Sequence, residues 1–309
     1  MNDRRLAGRT SIVTGASRGL GRTIAVALAA EGAAVAVVSR TEQVWDERLP
    51  GTIGETVAEI EAAGGQALAV RADVSQPEDR RRLVDEARQL GPVTILVNNA
   101  AFTAPGRPPA PGTPPARGTP PASGAQAAPS RARTSGAKPE TGGAKTDWPT
   151  FLHTPLAAYQ RHFQVGPFAA YELMQLVVPD MVEAGGGAIV NISSGASRAP
   201  GEGPWPERSG GLLPGYGGAK AALEHLTLCA AYELTDRNIA LNVLSPSKAI
   251  PTPGLAYYSP VFEDVGSEVD FAEAVARLAA ARPEQVTGRI LGHLDVLDGS
   301  FRSYQFHSS

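Results

Sequence analysis

A tyrosine and a lysine stand four positions apart in the stretch GYGGAK, as Tyr216 and Lys220, with only small residues between them. On a helix, residues at this spacing share one face. A free tyrosine titrates near pH ~10, and a neighbouring ammonium group favours the phenolate and lowers that pKa. The pair could therefore exchange a proton with a substrate oxygen as a general acid and base. The alternative is a solvated helix face on which the two side chains only pack together.

The second feature that could serve a chemical function is the glycine-rich stretch TGASRGLG at residues 14–21. It falls between an apolar run at 10–15 and a helical pattern at 20–32. Gly15 permits a tight turn, Gly19 and Gly21 let a bound group approach the backbone, and the helix start favours an anion. In this context the stretch predicts a phosphate-binding turn for a dinucleotide. The alternative is a glycine turn that packing alone requires.

The elements that must position these residues are apolar runs alternating with helical patterns. The runs are continuous, which is typical of parallel strands covered on both faces. We therefore predict an α/β fold with a doubly wound, parallel, seven-stranded sheet and helices on both faces. Strands are expected at 10–15, 33–40, 66–74, 93–100, 187–194, 239–246 and 289–297. Helices are expected at 20–32, 56–65, 75–90, 154–183, 216–234 and 271–281.

Two capping signals support these helix boundaries. Ser75 and Glu78 form a capping-box pattern, with Pro77 near the first turn. Thr154 followed by Pro155 indicates the start of the long helix that we expect to continue to about Glu183.

Composition excludes several classes of protein. The 309 residues are 42% hydrophobic and 19% charged with a net charge of −3, which suits a globular domain and gives no general attraction to nucleic acid or membranes. A single cysteine excludes an internal disulfide, and the five histidines lack metal-ligand spacing, so no metal site is expected. No apolar run has the length of a signal peptide or membrane helix, so we expect a cytoplasmic protein.

One segment interrupts the pattern at residues 103–147, where no Val, Ile, Leu, Met, Phe, Trp, Tyr or Cys occurs. Such a segment cannot bury enough apolar surface to offset the entropy of ordering it. We predict a single domain over residues 1–309 that contains a disordered Pro/Gly/Ala-rich insertion at 103–147. The insertion is interpreted as an expanded loop, with a mobile flap or a partner-binding arm as the alternatives.

Several motifs in order along the chain resemble the short-chain dehydrogenase/reductase family. They are the Gly-x-x-x-Gly-x-Gly spacing of 15–21, DV at 73–74, NNAA at 98–101, IVNISS at 189–194, YGGAK at 216–220 and LSPS at 244–247. The likeness covers nearly all of the chain outside 103–147. The stretch LPGTI at 49–53 is similar to a hydroxysteroid dehydrogenase-like branch of the family.

The resemblance implies a Rossmann fold and an NAD(P)-dependent oxidoreductase that interconverts a carbonyl and a secondary alcohol. It implies Tyr216 as general acid/base, Lys220 lowering its pKa and binding the nicotinamide ribose, and Ser194 orienting the substrate oxygen. It also implies a homodimer or homotetramer that acts on a small molecule. The residues expected to bind the cofactor are Gly15, Ser17, Arg18, Gly19, Leu20, Gly21, Ser39, Arg40, Asp73, Val74, Asn99, Ala100, Tyr216, Lys220 and Pro246.

The end of the second strand favours one nucleotide. An acidic residue there would bond the ribose hydroxyls and repel a 2′-phosphate, but this strand ends in Ser39 and Arg40, and Arg18 lies in the glycine turn. Two guanidinium groups suit a phosphate. We therefore expect NADP(H) as the preferred cofactor, with NAD(H) as the alternative.

The chain departs from the family pattern in two places. Gly166 aligns with the asparagine whose bound water connects the active-site lysine to solvent, and Ser247 replaces a glycine beside the nicotinamide. The alternative function is therefore a catalytically impaired nucleotide-binding sensor or scaffold of the same fold. Trp205, Tyr257 and Tyr258 are candidate lining residues of the substrate pocket.

Overall fold

The computed structural model describes residues 4–102, 151, 154–198, 214–256 and 264–302. These residues contain a seven-stranded sheet in the order β3-β2-β1-β4-β5-β6-β7, with every neighbouring pair parallel. The expected fold class, a doubly wound α/β sheet of the Rossmann type, is confirmed. The insertion at 103–147 and the candidate pocket residues Trp205, Tyr257 and Tyr258 lie outside the described residues.

The strands and helices alternate along the chain. The strands are β1 Thr10–Thr14, β2 Ala34–Ser39, β3 Gln66–Arg71, β4 Val93–Asn98, β5 Gly187–Ile192, β6 Ile239–Ser245 and β7 Ile290–Gly292. The helices are α1 Gly19–Ala30, α2 Ile53–Ala62, α3 Pro77–Ala87, α4 Leu156–Val165, α5 Pro167–Glu183, α6 Pro214–Leu234, α7 Pro253–Ala256, α8 Glu268–Ala280 and α9 His293–Leu297.

Each face of the sheet has its own apolar core. On one face, Leu28 of α1 and Phe271 of α8 are fully buried in a cluster that includes Val13 of β1. On the other face, Leu83 of α3 joins a cluster that includes Ile12 of the same strand. Successive residues of a strand point to opposite faces, so an apolar run such as that of β1 supplies both cores.

The predicted helix over 154–183 is wrong in one respect, because the structure has two helices there. α4 ends at Val165, α5 begins at Pro167, and Gly166 between them has φ −88° and ψ −106°. Proline disfavours the helical conformation in the residue before it and lacks the amide hydrogen that would continue the helical bonding. The sequence Gly166-Pro167 therefore breaks the helix where the pattern of apolar residues continues.

Two smaller predictions also need correction. The predicted last strand over 289–297 is only Ile290–Gly292, and α9 follows it directly. The predicted capping box at α3 does not form, since the N-cap is Gln76 without a side-chain bond and Ser75 instead donates to Asp73 Oδ1 at 2.7 Å.

Candidate active site

The carboxyl ends of the strands bring the sequence-predicted site residues to one edge of the sheet. β1 lies between β2 and β4, so the strand order reverses there. In doubly wound sheets, ligands bind in the crevice outside the strand ends at such a reversal. The glycine turn follows β1, Asn99 follows β4, and Ser194 follows β5, so all three face this crevice.

The glycine turn forms a backbone cradle that side chains would fill. Gly15 has φ +70°, and a Cβ added at Gly21 would lie 2.2 Å from the Gly15 carbonyl oxygen. Asn99 fixes the turn against β4, since its Nδ2 donates to the Thr14 carbonyl at 2.8 Å. Ala100 closes the cradle, because a Cβ at Gly15 would lie 3.0 Å from its Cα. The turn fits a phosphate held by backbone amides at the start of α1.

The hydroxyl and guanidinium groups expected around the ribose also lie together. Ser39 Oγ donates to Ser17 Oγ at 3.1 Å, which links the end of β2 to the glycine turn. Arg18 Nη2 donates to Thr41 Oγ1 at 2.9 Å. Burial lowers the pKa of Arg18, and the charge of Arg40 lowers it further. Two cations therefore face the same space, which is an arrangement that an anionic group would stabilise.

Leu20 is the exception within the turn, because its side chain packs against the core beneath α1. That side chain is partly buried there. Gly19 and Ser17 lie in the same turn, and Ser17 is 3% exposed, so its hydroxyl is engaged with Ser39 rather than with solvent.

The carboxylate of Asp73 follows β3 and is held in place by several donors. Ser75 donates to Oδ1 from its amide at 3.1 Å, and Arg161 of α4 donates to Oδ2 at 2.7 Å. Burial alone would raise the pKa of Asp73, but the bonds from Ser75 and Arg161 lower it overall. Val74, the next residue, is buried at the wall of a small cavity. The position is a fixed anion at the edge of the crevice.

The three predicted catalytic residues meet where β5 and α6 adjoin. Ser194 follows β5 and caps a short 3-10 turn, with its Oγ accepting from the Ala196 amide at 3.3 Å. The Tyr216 side chain is hydrogen-bonded to that of Ser194. Desolvation raises the pKa of Tyr216, and the Ser194 bond opposes this increase. The net direction is opposite to the lowering that we expected from Lys220.

Lys220 lies one helical turn after Tyr216 and is 5% exposed. Its Nζ donates to the Ile192 carbonyl at 2.6 Å and stands 5.7 Å from the centre of the Tyr216 ring. Burial lowers the pKa of Lys220 to about 8, while the Glu224 carboxylate acts to raise it. Desolvation disfavours the charged form of any group, and this is why the phenol and the ammonium shift in opposite directions.

The turn after β6 carries Pro246 and Ser247. Ser247 is the residue that stands where the family that the chain resembles has a glycine. The Ser247 amide donates to His293 Nδ1 at 2.9 Å, and its Oγ accepts from the Leu294 amide at 3.3 Å. The hydroxyl of Ser247 is therefore used to hold α9 against this turn. Pro246 precedes it at the carboxyl end of the strand, on the same edge as the glycine turn.

Sequence reasoning missed three polar residues near the site. Glu224, one turn beyond Lys220, is 6% exposed and accepts from Ser193 Oγ at 2.6 Å. Asn98 donates to Asn191 Oδ1 at 2.8 Å in a buried pair behind the catalytic residues. The spacing Tyr-x-x-x-Lys-x-x-x-Glu places Glu224 on the helix face of Tyr216 and Lys220, and that spacing was the available signal.

The third missed residue is His162, to which the sequence assigned no role. Its ring lies edge-on to that of Tyr216, with 6.0 Å between ring centres, and 5.0 Å from the ring of Phe102. Burial lowers the pKa of His162 to about 4, and the charge of Lys220 contributes to this. No sequence signal links position 162 to position 216, because the packing of α4 against α6 brings them together.

None of the described helices has the length and apolar character needed to cross a membrane. Among the same residues, no group of three or more His, Cys, Asp or Glu side chains is arranged to hold a metal ion.

Known proteins similar to this chain agree with the fold. A family model described as short chain dehydrogenase matches residues 9–110 and 141–256. The chain is 28% identical over 299 residues to the 7alpha-hydroxysteroid dehydrogenase of Escherichia coli (strain K12), with 93% of each chain covered. It is 28% identical over 305 residues to an NADPH-dependent aldehyde reductase-like protein, chloroplastic, of Arabidopsis thaliana, again with 93% of each covered.

A solved structure extends the similarity to three dimensions. The structure of a 7 alpha-hydroxysteroid dehydrogenase complexed with NADH and 7-oxo glycochenodeoxycholic acid matches with a TM-score of 0.67 and 27% identity. The match covers 94% of this chain and 94% of that one.

Proposed function

The chain belongs to the short chain dehydrogenase family, and from its site we propose an NADP(H)-dependent oxidoreductase that interconverts a carbonyl and a secondary alcohol. The observation that carries this proposal is the meeting of Ser194 and Tyr216 beside the buried Lys220, whose Nζ lies 5.7 Å from the centre of the Tyr216 ring. A proton donor, a hydroxyl partner and a cation thus adjoin one crevice, and the cradle at Gly15 and Gly21 opens on the same edge of the sheet.

The residues present fit the cofactor. The backbone of the glycine turn would hold its phosphates, Asp73 would hold the adenine, and Asn99 would also contact the cofactor. Lys220 would bind the nicotinamide ribose, and Pro246 would lie beside the nicotinamide. When bound, NADP(H) supplies or accepts the hydride, which leaves proton transfer and orientation to the protein.

Tyr216 and Ser194 have different roles at the substrate oxygen. Ser194 Oγ orients the carbonyl, so that the Tyr216 hydroxyl lies within proton-transfer distance. The pKa of Tyr216 is raised in this structure, so the residue is a phenol at neutral pH and is ready to donate its proton to a carbonyl. Alcohol oxidation requires the phenolate, and that reaction gains from a higher pH.

Lys220 supports the phenolate that carbonyl reduction leaves behind. Its ammonium is 5.7 Å from the Tyr216 ring centre in a site with little water. Charge interactions strengthen as the local dielectric falls, so this cation stabilises the developing phenolate although it does not dominate the pKa of the resting phenol.

NADP(H) preference is supported by the pair of cations at the end of β2. Arg18 and Arg40 interact electrostatically, and Arg40 Nη1 lies 4.0 Å from Asp73 Oδ2. A 2′-phosphate would neutralise both guanidinium groups. The solved 7 alpha-hydroxysteroid dehydrogenase complex contains NADH. For this chain, we expect Arg18 and Arg40 at this strand end to decide between NADPH and NADH.

The cofactor preference is tested by exchanging one cation. For Arg40→Ala, we expect kcat/KM with NADPH to fall at least about tenfold, the worth of a charge-assisted hydrogen bond, while the value for NADH changes less. Arg71→Ala is the matched control, since Arg71 is an exposed arginine paired with Glu42. Equal effects on NADPH and NADH would contradict the preference.

The substrate class is tested by measuring NADPH oxidation against a panel of ketones and aldehydes, including oxo-steroids because of the similar proteins. We expect turnover of at least one hydrophobic carbonyl. NADPH binding without turnover across the panel would instead favour the second candidate, a nucleotide-binding sensor or scaffold. Gly166 favours that alternative, since it has no side chain at the position where the family holds its relay water.

A further inference from the structure

Proton resupply to Tyr216 is a problem that the catalytic residues do not solve among themselves. Lys220 is almost fully buried, and its ammonium is bonded to the Ile192 carbonyl. Ser194 is bonded to Tyr216 itself. Each carbonyl reduction removes one proton from Tyr216, and that proton has to come from solvent before the next turnover.

His162 adjoins Tyr216 and reaches the surface. Both side chains are partly exposed, whereas Lys220 is buried, and the two rings meet edge to face with 6.0 Å between their centres. Another titratable side chain beside that ring is Lys220, whose Nζ lies 5.7 Å from the ring centre. The His162 ring packs directly against Gly215, since a Cβ added at Gly215 would lie 2.8 Å from His162 Cδ2. The residue before Tyr216 thus leaves room for the imidazole.

The rest of the surroundings keep the ring oriented. Phe102 packs edge-on against His162, with 5.0 Å between the ring centres. One turn along α4, Gly166 presents only its amide, which donates to the His162 carbonyl at 2.9 Å. No side chain projects from position 166 into this region, and α4 supplies the His162 imidazole here, with the Tyr159 ring also beside Gly215.

We propose that His162 acts through Tyr216, as the group that returns a proton from solvent to the phenolate after each carbonyl reduction. This inference rests on the proposed function. It assigns His162 to proton supply and leaves the chemical step itself to Tyr216.

The protons balance over one cycle. The O–H bond of Tyr216 breaks as the O–H bond of the product alcohol forms, and the hydride of the proposed NADPH reaction supplies the two electrons. The phenolate then takes a proton from a water between the rings, and that water takes one from an imidazole N–H. The other ring nitrogen takes a proton from solvent, so Tyr216 has regained its proton and the imidazole ends neutral as its other tautomer. Loss of that proton to solvent and uptake of one at the first nitrogen restore the starting tautomer before the next turnover.

A neutral imidazole suits this role because one ring nitrogen donates while the other accepts. Burial and the charge of Lys220 lower the pKa of His162 to about 4, so the ring is neutral at the pH where the phenol is intact. Transfer through one intervening water is within the reach of a positioned acid or base.

The test uses the full chain and the carbonyl that turns over best. For His162→Ala we expect kcat to fall about tenfold or more, at the lower end of what positioned proton transfer contributes, with the NADPH dissociation constant unchanged. Added imidazole should restore kcat in a concentration-dependent manner, because it can carry the proton through the space that the side chain leaves. His225→Ala, which removes an exposed histidine of α6, should lose no activity and gain none from imidazole.

The outcomes separate this inference from the proposed function. A His162→Ala kcat within twofold of wild type would overturn the relay, and so would a loss of kcat that imidazole does not restore. If His162→Ala fails to bind NADPH, His162→Gln replaces it in the test, because glutamine keeps a polar side chain but cannot relay a proton. Added imidazole should restore the kcat of His162→Gln as well. A wild-type chain that turns over no carbonyl would instead refute the proposed function.

Discussion

Burial acts on the two central side chains in opposite directions. It raises the pKa of the Tyr216 phenol and lowers that of the Lys220 ammonium to about 8, because desolvation disfavours the charged form of each group. At neutral pH the pair is therefore a phenol beside a cation that is close to losing its charge. The Glu224 carboxylate, bonded to Ser193, is the residue that keeps the pKa of Lys220 from falling further.

This electrostatic arrangement predicts the alkaline limit of carbonyl reduction. The cation is present below about pH 8 and is lost as the pH rises through the pKa of Lys220, so kcat should fall over that interval. Glu224→Gln removes the negative charge that raises this pKa, so the alkaline limb should move to lower pH. Profiles of kcat against pH for both proteins check this.

Glu233→Gln is the control for that experiment, since Glu233 is an exposed carboxylate on the same helix. It should leave the limb unchanged. An alkaline limb that stays in place in Glu224→Gln would show that this carboxylate does not tune Lys220.

At the scale of elements, the break between α4 and α5 is the feature with the largest consequence. Gly166 has a non-helical ψ, and a Cβ there would lie 2.8 Å from the His162 carbonyl oxygen. The adjoining cavity, lined by Thr14, Asn98 and Leu223 among others, has a volume of about 10 Å³. That is roughly the space of one water and is too small for an amide side chain.

We therefore expect Gly166→Asn to destabilise the fold rather than to restore a family-like relay. The added side chain should lower the free energy of unfolding by about 1–3 kcal/mol, as overpacking commonly does. Gly54→Ala is the control, because its new Cβ would come no closer than 3.9 Å to Thr52 Oγ1 on an exposed part of α2. Chemical denaturation of both variants checks this, and an unchanged midpoint for Gly166→Asn would contradict the steric argument.

The elements also show what the sequence could and could not predict. Strand ends were predictable because continuous apolar runs such as that of β1 stop at glycine or polar residues, so Gly15, Asn99 and Ser194 were predicted near strand ends, where the structure has them. The start of α2 was predicted too late, since the capping box of Thr52 and Glu55 went unrecognised. His162 could not be found, because its meeting with Tyr216 depends on how α4 packs against α6.

At the scale of the whole molecule, the described sheet and the described residues of its two cores lie outside the Pro/Gly/Ala-rich insertion. All seven strands lie in described residues outside 103–150. The helices α5 and α6 also present exposed aromatic residues, with Phe168 at 60% and Tyr232 at 88% exposure. We propose that these two helices form the contact of a homo-oligomer, which light scattering of the purified chain would measure.

The insertion itself is expected to be dispensable for folding and activity. We expect this from replacing residues 104–147 with a Gly/Ser linker of about a quarter of their length. Because a shorter loop loses less entropy when its ends are brought together, the free energy of unfolding should rise by about 1 kcal/mol. Denaturant unfolding and kcat/KM of the shortened chain check this. Loss of activity with the fold intact would assign the segment to the active site or to a partner.

The central claim is that Tyr216 is the proton donor of an NADPH-dependent carbonyl reduction, and Tyr216→Phe tests it most directly. This change removes one hydroxyl and keeps the aromatic ring, so NADPH should bind as it does to wild type when followed by its fluorescence. Steady-state NADPH oxidation with the best carbonyl of the panel should fall about 10²–10⁴-fold, the contribution of a positioned general acid. Turnover comparable to that of wild type, with NADPH binding intact, would contradict the account.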